Sequence, residues 1–207
     1  DDIDKKRANA IKILDRFLYK EQEKTDLRLA SFNSGKMHNA IPRDGKVVFA
    51  VPAADKETIR ADWNIFTAAV EDEFHVTDTT MEFHLESTEA TPVLPKDVSR
   101  RFILAIQGID NGVFAMCQDE AISWLVETSS NVASIITTDN EITVVASHRS
   151  SVMSNLDNEA NTVKAVFELA GADITISDGY PAWKMNPDSK LTKVAVESYK
   201  KLFGKEP

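Results

Sequence analysis

The sequence predicts an α+β fold: a two-layer sandwich with a mainly antiparallel sheet and helices on one face. Three observations predict it. Stretches with apolar residues at helical spacing alternate with stretches of strand spacing along the whole chain. Strands come in neighbouring pairs joined by short turns, which favours antiparallel pairing. Each helix carries one apolar face, so the helices can cover one side of a sheet.

The elements follow in order. From about Lys5 to Glu23, Ala8, Ile11, Leu14 and Leu18 recur at helical spacing with Phe17 alongside, and Asp2 or Asp4 can cap the start. "DLRLASFNSG" alternates and ends at Gly35, which predicts a strand; "KVVFAVPA" predicts a second, stopped by Pro52. "DKETIRADWNIFTAAVEDEF" gives the clearest helix, with Asp55 as cap and Ile59, Trp63, Phe66 and Val70 on one face. "TMEFHLESTEA" alternates Met81, Phe83 and Leu85 as a strand would. "KDVSRRFILAIQGI" is a helix closed by Gly108. In "CQDEAI", Asp119 and Glu120 suit a helix or loop cap. "ISWLVETSSNVASIITTDNEITVVASHRSS" is a hairpin turning at "TDNE". About Asn155 to Leu169 is a helix ended by Gly171. "ADITISDGYPAW" predicts a last strand, and "NPDSKLTKVAVESYKKLFG" a final helix capped by Asp188 or Ser189 and closed by Gly204. The sum is an enlarged ferredoxin-like arrangement.

Composition excludes several functions. The chain has 207 residues, 43% hydrophobic and 28% charged, the balance of a globular protein. A net charge of −9 argues against nucleic acid as partner, since phosphate binding needs a basic stripe. The basic clusters "DKKRANAIK" and "SYKKLFGK" are flanked by acids and suit solvated helix faces. No apolar run approaches a membrane span. The single cysteine, Cys117, suits a reducing compartment such as the cytoplasm and has no nearby cation to favour its thiolate. The first and last residues, "DDIDKKRANAIKIL" and "GKEP", lie against helices, which suggests a segment of a longer protein.

No catalytic constellation is visible. His38, His75, His84 and His148 form no HxxxH, HxH or HxD pattern, and there is no cysteine cluster. No GxGxxG, GxxxxGK[ST] or GxSxG occurs. Glu71, Asp72 and Glu73 end a helix and suit solvent; His75 and His84 flank a turn and suit the surface. The residues therefore predict no catalytic residue and no metal ligand within this chain.

One stretch stands out. In "GKMHNAIPRDGKVVFAV", Pro42 fixes its own φ and pushes Ile41 towards extended geometry. "RDG" supplies turn chemistry, with Gly45 free to take positive φ. Asn39 is thus held on a stiff corner, a place for a turn residue or a binding residue.

That stretch, "LRLASFNSGKMHNAIPRDGKVVFAV", resembles the strand and Asn-Ala-Ile-Pro-Arg corner of aminoacyl-histidine dipeptidases. "LVETSSNVASIITTDNEITVVASHRSS" resembles their Val-Glu-Thr-Ser-x-Asn strand and the strand ending in Arg-Ser. "GYPAWKMNPDSKLTKVAVESYKKLFGKEP" resembles their Tyr-Pro-x-Trp passage, and "RANAIKIL" also fits. The resemblance implies a carnosinase-like plan: a catalytic domain with two metal ions, usually zinc, hydrolysing dipeptides that end in histidine, and an inserted lid that mediates dimerisation. It implies that residues 1–180 are the lid and that 181–207 begin the return to the catalytic domain. The metal ligands and a Gly-Gly-His-Ser-Gly motif would lie outside this chain. Asn39 and Arg149 match family residues that reach towards substrate; His38 and His148 beside them match no fixed position. The resemblance further implies a homodimer joined through strand edges or the helix beside them, and a dipeptide as ligand. The competing expectation is a free-standing ferredoxin-like module that dimerises or senses a small ligand without catalysis.

Overall fold

The computed structural model describes residues 3–183, 186 and 188–207. Helix α1 (Ala10–Gln22) is followed by the hairpin strands β1 (Arg28–Ser34) and β2 (Gly45–Ala50). Helices α2 (Lys56–Glu73) and α3 (Lys96–Gly108) come next, then β3 (Gly112–Met116), the long hairpin β4 (Val126–Thr137) and β5 (Ile142–Ser150), and helices α4 (Met153–Ala170) and α5 (Lys190–Phe203). All strand pairs are antiparallel. Strand β4 is the hub. Strand β5 pairs along it from Thr128–Ser150 to Thr137–Ile142, so β1 and β3 take opposite ends of its other edge. Strand β1 meets it at Ser34–Ile135, and β2 pairs only with β1.

Two apolar clusters hold the layers together. The larger joins α1, α3 and α4 to the sheet through Ile11, Leu18, Ile103, Ile106 and Val163 against Leu29, Phe32, Val132 and Ile135. The smaller packs α2 onto α1: Ile13 and Phe17 meet Ile59, Trp63, Phe66 and Val70. Phe17 lies edge-on to Trp63, ring centroids 4.9 Å apart, a favoured aromatic geometry.

The expected α+β two-layer fold is present, with local differences. Asn9 caps α1, its Oδ1 accepting from the Ile11 and Lys12 amides. Asp4 instead lies in a 3-10 turn before the helix, and Asp2 lies outside the described residues. Asp55 occupies the position before α2 without capping it; its carboxylate accepts the Thr25 hydroxyl. Asp119 does cap its turn, accepting from Ala121 N at 3.0 Å.

Two expected strands have no ladder. In residues 81–86 the alternation is real: Met81, Phe83 and Leu85 are half-buried while Glu82, His84 and Glu86 are exposed. Their partner is the α1–α2 cluster, with Phe83 edge-on to Trp63, so a period of two marks extended chain against helices. Residues 172–183 likewise join no ladder, with Tyr180 and Trp183 exposed. Strand β3, a short piece between a helix and a turn, went unpredicted.

Gly45 has no positive φ; it sits close under two side chains, where an added Cβ would lie 2.7 Å from Leu14 Cδ1 and 3.0 Å from Ser34 Oγ.

Candidate functional site

The 37–42 corner leaves β1 through Gly35. That residue has φ +71°, and a Cβ on it would lie 2.0 Å from the Ala133 carbonyl oxygen, so only glycine fits against β4. The corner is then tied at three points. Ala40 N donates to Met37 O at 3.3 Å, which closes the turn. Ala10 N, at the start of α1, donates to Pro42 O at 3.0 Å. Asn131 Nδ2, from the middle of β4, donates to Ala40 O at 2.8 Å. Asn39 stands exposed on the corner so held.

Arg149 reaches the same place from β5. Ile142, Val144 and Ala146 of that strand pack on the core, so by alternation Ser147 and Arg149 point to the other face. Arg149 is opposite Ser129, and Ser147 opposite Asn131. Asn39, Arg149, Ser129, Asn131 and Ser147 line one surface cavity of ≈ 30 Å³, with His38, Ile3 and Ile41 at its border. The structure thus brings together the two residues singled out in the sequence. Its polar lining is hydroxyl, amide, the His38 imidazole and one guanidinium. That chemistry suits a carboxylate, which Arg can grip with a fork of donors, beside amide or hydroxyl groups that both donate and accept. A wide concavity of ≈ 2580 Å³, bordered by β5, α4 and the 172–183 segment, shares Asn39, Ser129, Ser147 and Arg149 with this cavity.

On the opposite face of β5 lies a cluster invisible in the sequence. His148 Nδ1 is 2.9 Å from Ser130 Oγ and 4.0 Å from Glu159 Oε1 on α4. Burial lowers the His148 pKa and so favours the neutral ring. Burial also raises that of Glu159, aided by nearby Asp110 and opposed by the Ser130 hydroxyl. Serine, histidine and acid make no nucleophilic relay here, because hydroxyl and carboxylate meet the same ring nitrogen. The cluster instead joins β4, β5 and α4.

Among the described residues, no group of three or more His, Cys, Asp or Glu is placed to hold a metal ion. His38, His75 and His84 are all exposed. The two zinc ions implied by the resemblance find no fitting donor set among them.

Comparison with known proteins gives this geometry a context. Residues 4–78 match the peptidase dimerisation domain. Over 201 residues, 97% of this chain, it is 30% identical to the cytosol non-specific dipeptidase of Escherichia coli (strain K12). The crystal structure of aminoacylhistidine dipeptidase from Vibrio alginolyticus matches 100% of the chain at a TM-score of 0.88 and 34% identity. The chain spans 41% of the first relative's length and 42% of the second's. It is homologous to one segment of these dipeptidases, a segment that includes the dimerisation domain, and it shares that segment's α+β fold.

The sequence missed Ser129, Asn131 and Ser147 as cavity residues. The signal available was the strand register: once Arg149 is chosen, its cross-strand and diagonal neighbours follow.

Proposed function

We propose that this chain is the lid and dimerisation segment of a metal-dependent dipeptidase acting on Xaa-His dipeptides. Residues 1–180 form the lid, and 181–207 lead back towards the catalytic domain. Asn39 and Arg149 bind the substrate: Arg149 takes its carboxylate, and Asn39 takes a polar group further along the dipeptide. The metal, two zinc ions by the family resemblance, and the water it activates are assigned to the rest of the protein, so this segment contributes recognition and assembly. The protein works as a homodimer in the cytoplasm, in keeping with the relative named cytosolic and the single cysteine. The observation that carries the reading is the meeting of Asn39 and Arg149, from distant parts of the chain, in one polar cavity on a fold shared with dipeptidases.

The test compares the isolated segment with the full-length protein on a panel of Xaa-His dipeptides. Hydrolysis by the full-length protein and none by the segment is expected. Chelator-sensitive cleavage by the segment alone, or a full-length protein inert to every dipeptide, would overturn the reading.

A further inference from the structure

The cavity depends on where the 37–42 corner sits, and the structure shows a buried polar device behind it. Asn9 is only 4% exposed and belongs to neither wall of the cavity. Its Oδ1 caps α1. Its Nδ2 faces Asn111 Oδ1 at 3.0 Å, Asn131 Oδ1 at 3.3 Å and Val132 O at 2.9 Å. Asn111 Oδ1 also accepts from Val132 N at 2.9 Å. With its oxygen facing the Asn9 donor, the Asn131 amide has one orientation, and its Nδ2 is aimed at Ala40 O. An inverted amide would set donor against donor and acceptor against acceptor. Meanwhile the residue after Asn9, Ala10, donates directly to Pro42 O. The start of α1 therefore grips the corner by two routes, one through Asn131 and one through its own backbone.

We propose that Asn9 is a positioning residue: through Asn131 it fixes the 37–42 corner so that Asn39 faces Arg149 across the cavity. This rests on the reading of Asn39 as a substrate contact, and it adds a residue that touches no substrate. The cap and the positioning are separable functions of one side chain. An asparagine caps a helix no better than serine does, so capping alone does not explain why an amide stands here. The amide adds to its capping oxygen a separate nitrogen with two hydrogens for the β4 side, where serine has a single hydrogen on the capping oxygen itself.

The informative variant is Asn9→Ser, which keeps a capping oxygen and loses the amide donor without adding a charge. It is made in the full-length protein alongside Asn39→Ala and the double variant, with Asn131→Asp as a second way to remove the donor to Ala40. Two readouts are taken: amide hydrogen exchange at residues 37–41, and KM against kcat for an Xaa-His dipeptide. Loss of a buried hydrogen bond should speed exchange at the corner roughly three- to tenfold and raise KM by a similar factor, with kcat largely kept. In the Asn39→Ala background the KM effect of Asn9→Ser should vanish. Unchanged exchange at the corner in both Asn9→Ser and Asn131→Asp overturns the positioning role, even if Asn39→Ala is impaired. So does a KM effect of full size in the Asn39→Ala background. Wild-type kinetics for Asn39→Ala would remove the substrate reading itself and with it the functional half of the proposal, a result the exchange data cannot mimic.

Discussion

Arg149, on β5, stands opposite Ser129 of β4, and both line the cavity. Removing the guanidinium from a carboxylate contact should cost roughly 1.5–3 kcal/mol, or about ten- to a hundredfold in kcat/KM. Arg149→Ala in the full-length protein is thus expected to raise KM strongly with little change in melting temperature; unchanged kcat/KM in an intact protein would take Arg149 out of the site. Gly35 is the opposite kind of residue. Its positive φ and the 2.0 Å approach of an added Cβ to the Ala133 oxygen predict that Gly35→Ala destabilises by more than about 3 kcal/mol. A denaturant midpoint within error of wild type would show that β1 and β4 can part there at no cost. Asn39 and Arg149 could be picked because each matches a motif of the resembled family, Asn-Ala-Ile-Pro-Arg and Arg-Ser; of the two, only Asn39, on its stiff corner, also stood out by local physics. Asn9, Asn131, Ser130 and Glu159 could not. Their partners lie far along the chain, and an asparagine at a helix start or a glutamate within a helix has many commoner uses.

Helix α1 carries a charge that its burial opposes. Asp15 is 0% exposed, and neither carboxylate oxygen has a hydrogen-bond partner among the described residues. One turn earlier, Lys12 Nζ reaches the Ile106, Gln107 and Ile109 carbonyls at the end of α3 instead. Burial raises the Asp15 pKa well above 3.8, with Lys12 opposing weakly. An acid whose pKa is raised by folding binds more protons in the native state than in the unfolded one. Its contribution to stability is therefore lost as pH rises from the unfolded value to the folded one, and stays lost above that. Asp15→Asn should flatten this slope and stabilise the fold at pH 7, because the amide has no ionised form for burial to disfavour. Thermal melts of both forms between pH 4 and 8 test it, and a lower melting temperature for Asp15→Asn at pH 7 would mean that the Lys12 interaction wins. The helices themselves were legible because their periods are long and their faces apolar. The two misread strands were not, since alternation reports an extended chain with one buried side and is silent on whether sheet or helix does the burying.

At the scale of the molecule, the matched dimerisation domain covers α1, β1, β2 and α2, and these elements offer a surface for a second copy. Strand β2 pairs with β1 alone, which leaves the backbone groups of its other edge without a ladder among the described residues. Helix α2 buries Ile59, Trp63, Phe66 and Val70 against α1 and exposes a second stripe of small and apolar residues, Ala61, Ile65 and Ala68. Ile65 is 70% exposed, which an isolated lid gains nothing from. An open strand edge and an exposed apolar helix face each suit a two-fold contact, in which the same patch serves twice. The chain is expected to be a homodimer at micromolar concentration, and Ile65→Glu should weaken the dimer without unfolding the protomer, because the new charges would face each other near the axis. Sedimentation velocity on both forms decides it. A wild-type monomer of 23.0 kDa at high concentration would show that this segment does not carry the dimer contact by itself. A dimer indifferent to Ile65→Glu would move the contact to β5 or β3, the other strands that pair on one side only, and away from the residues that match the dimerisation domain.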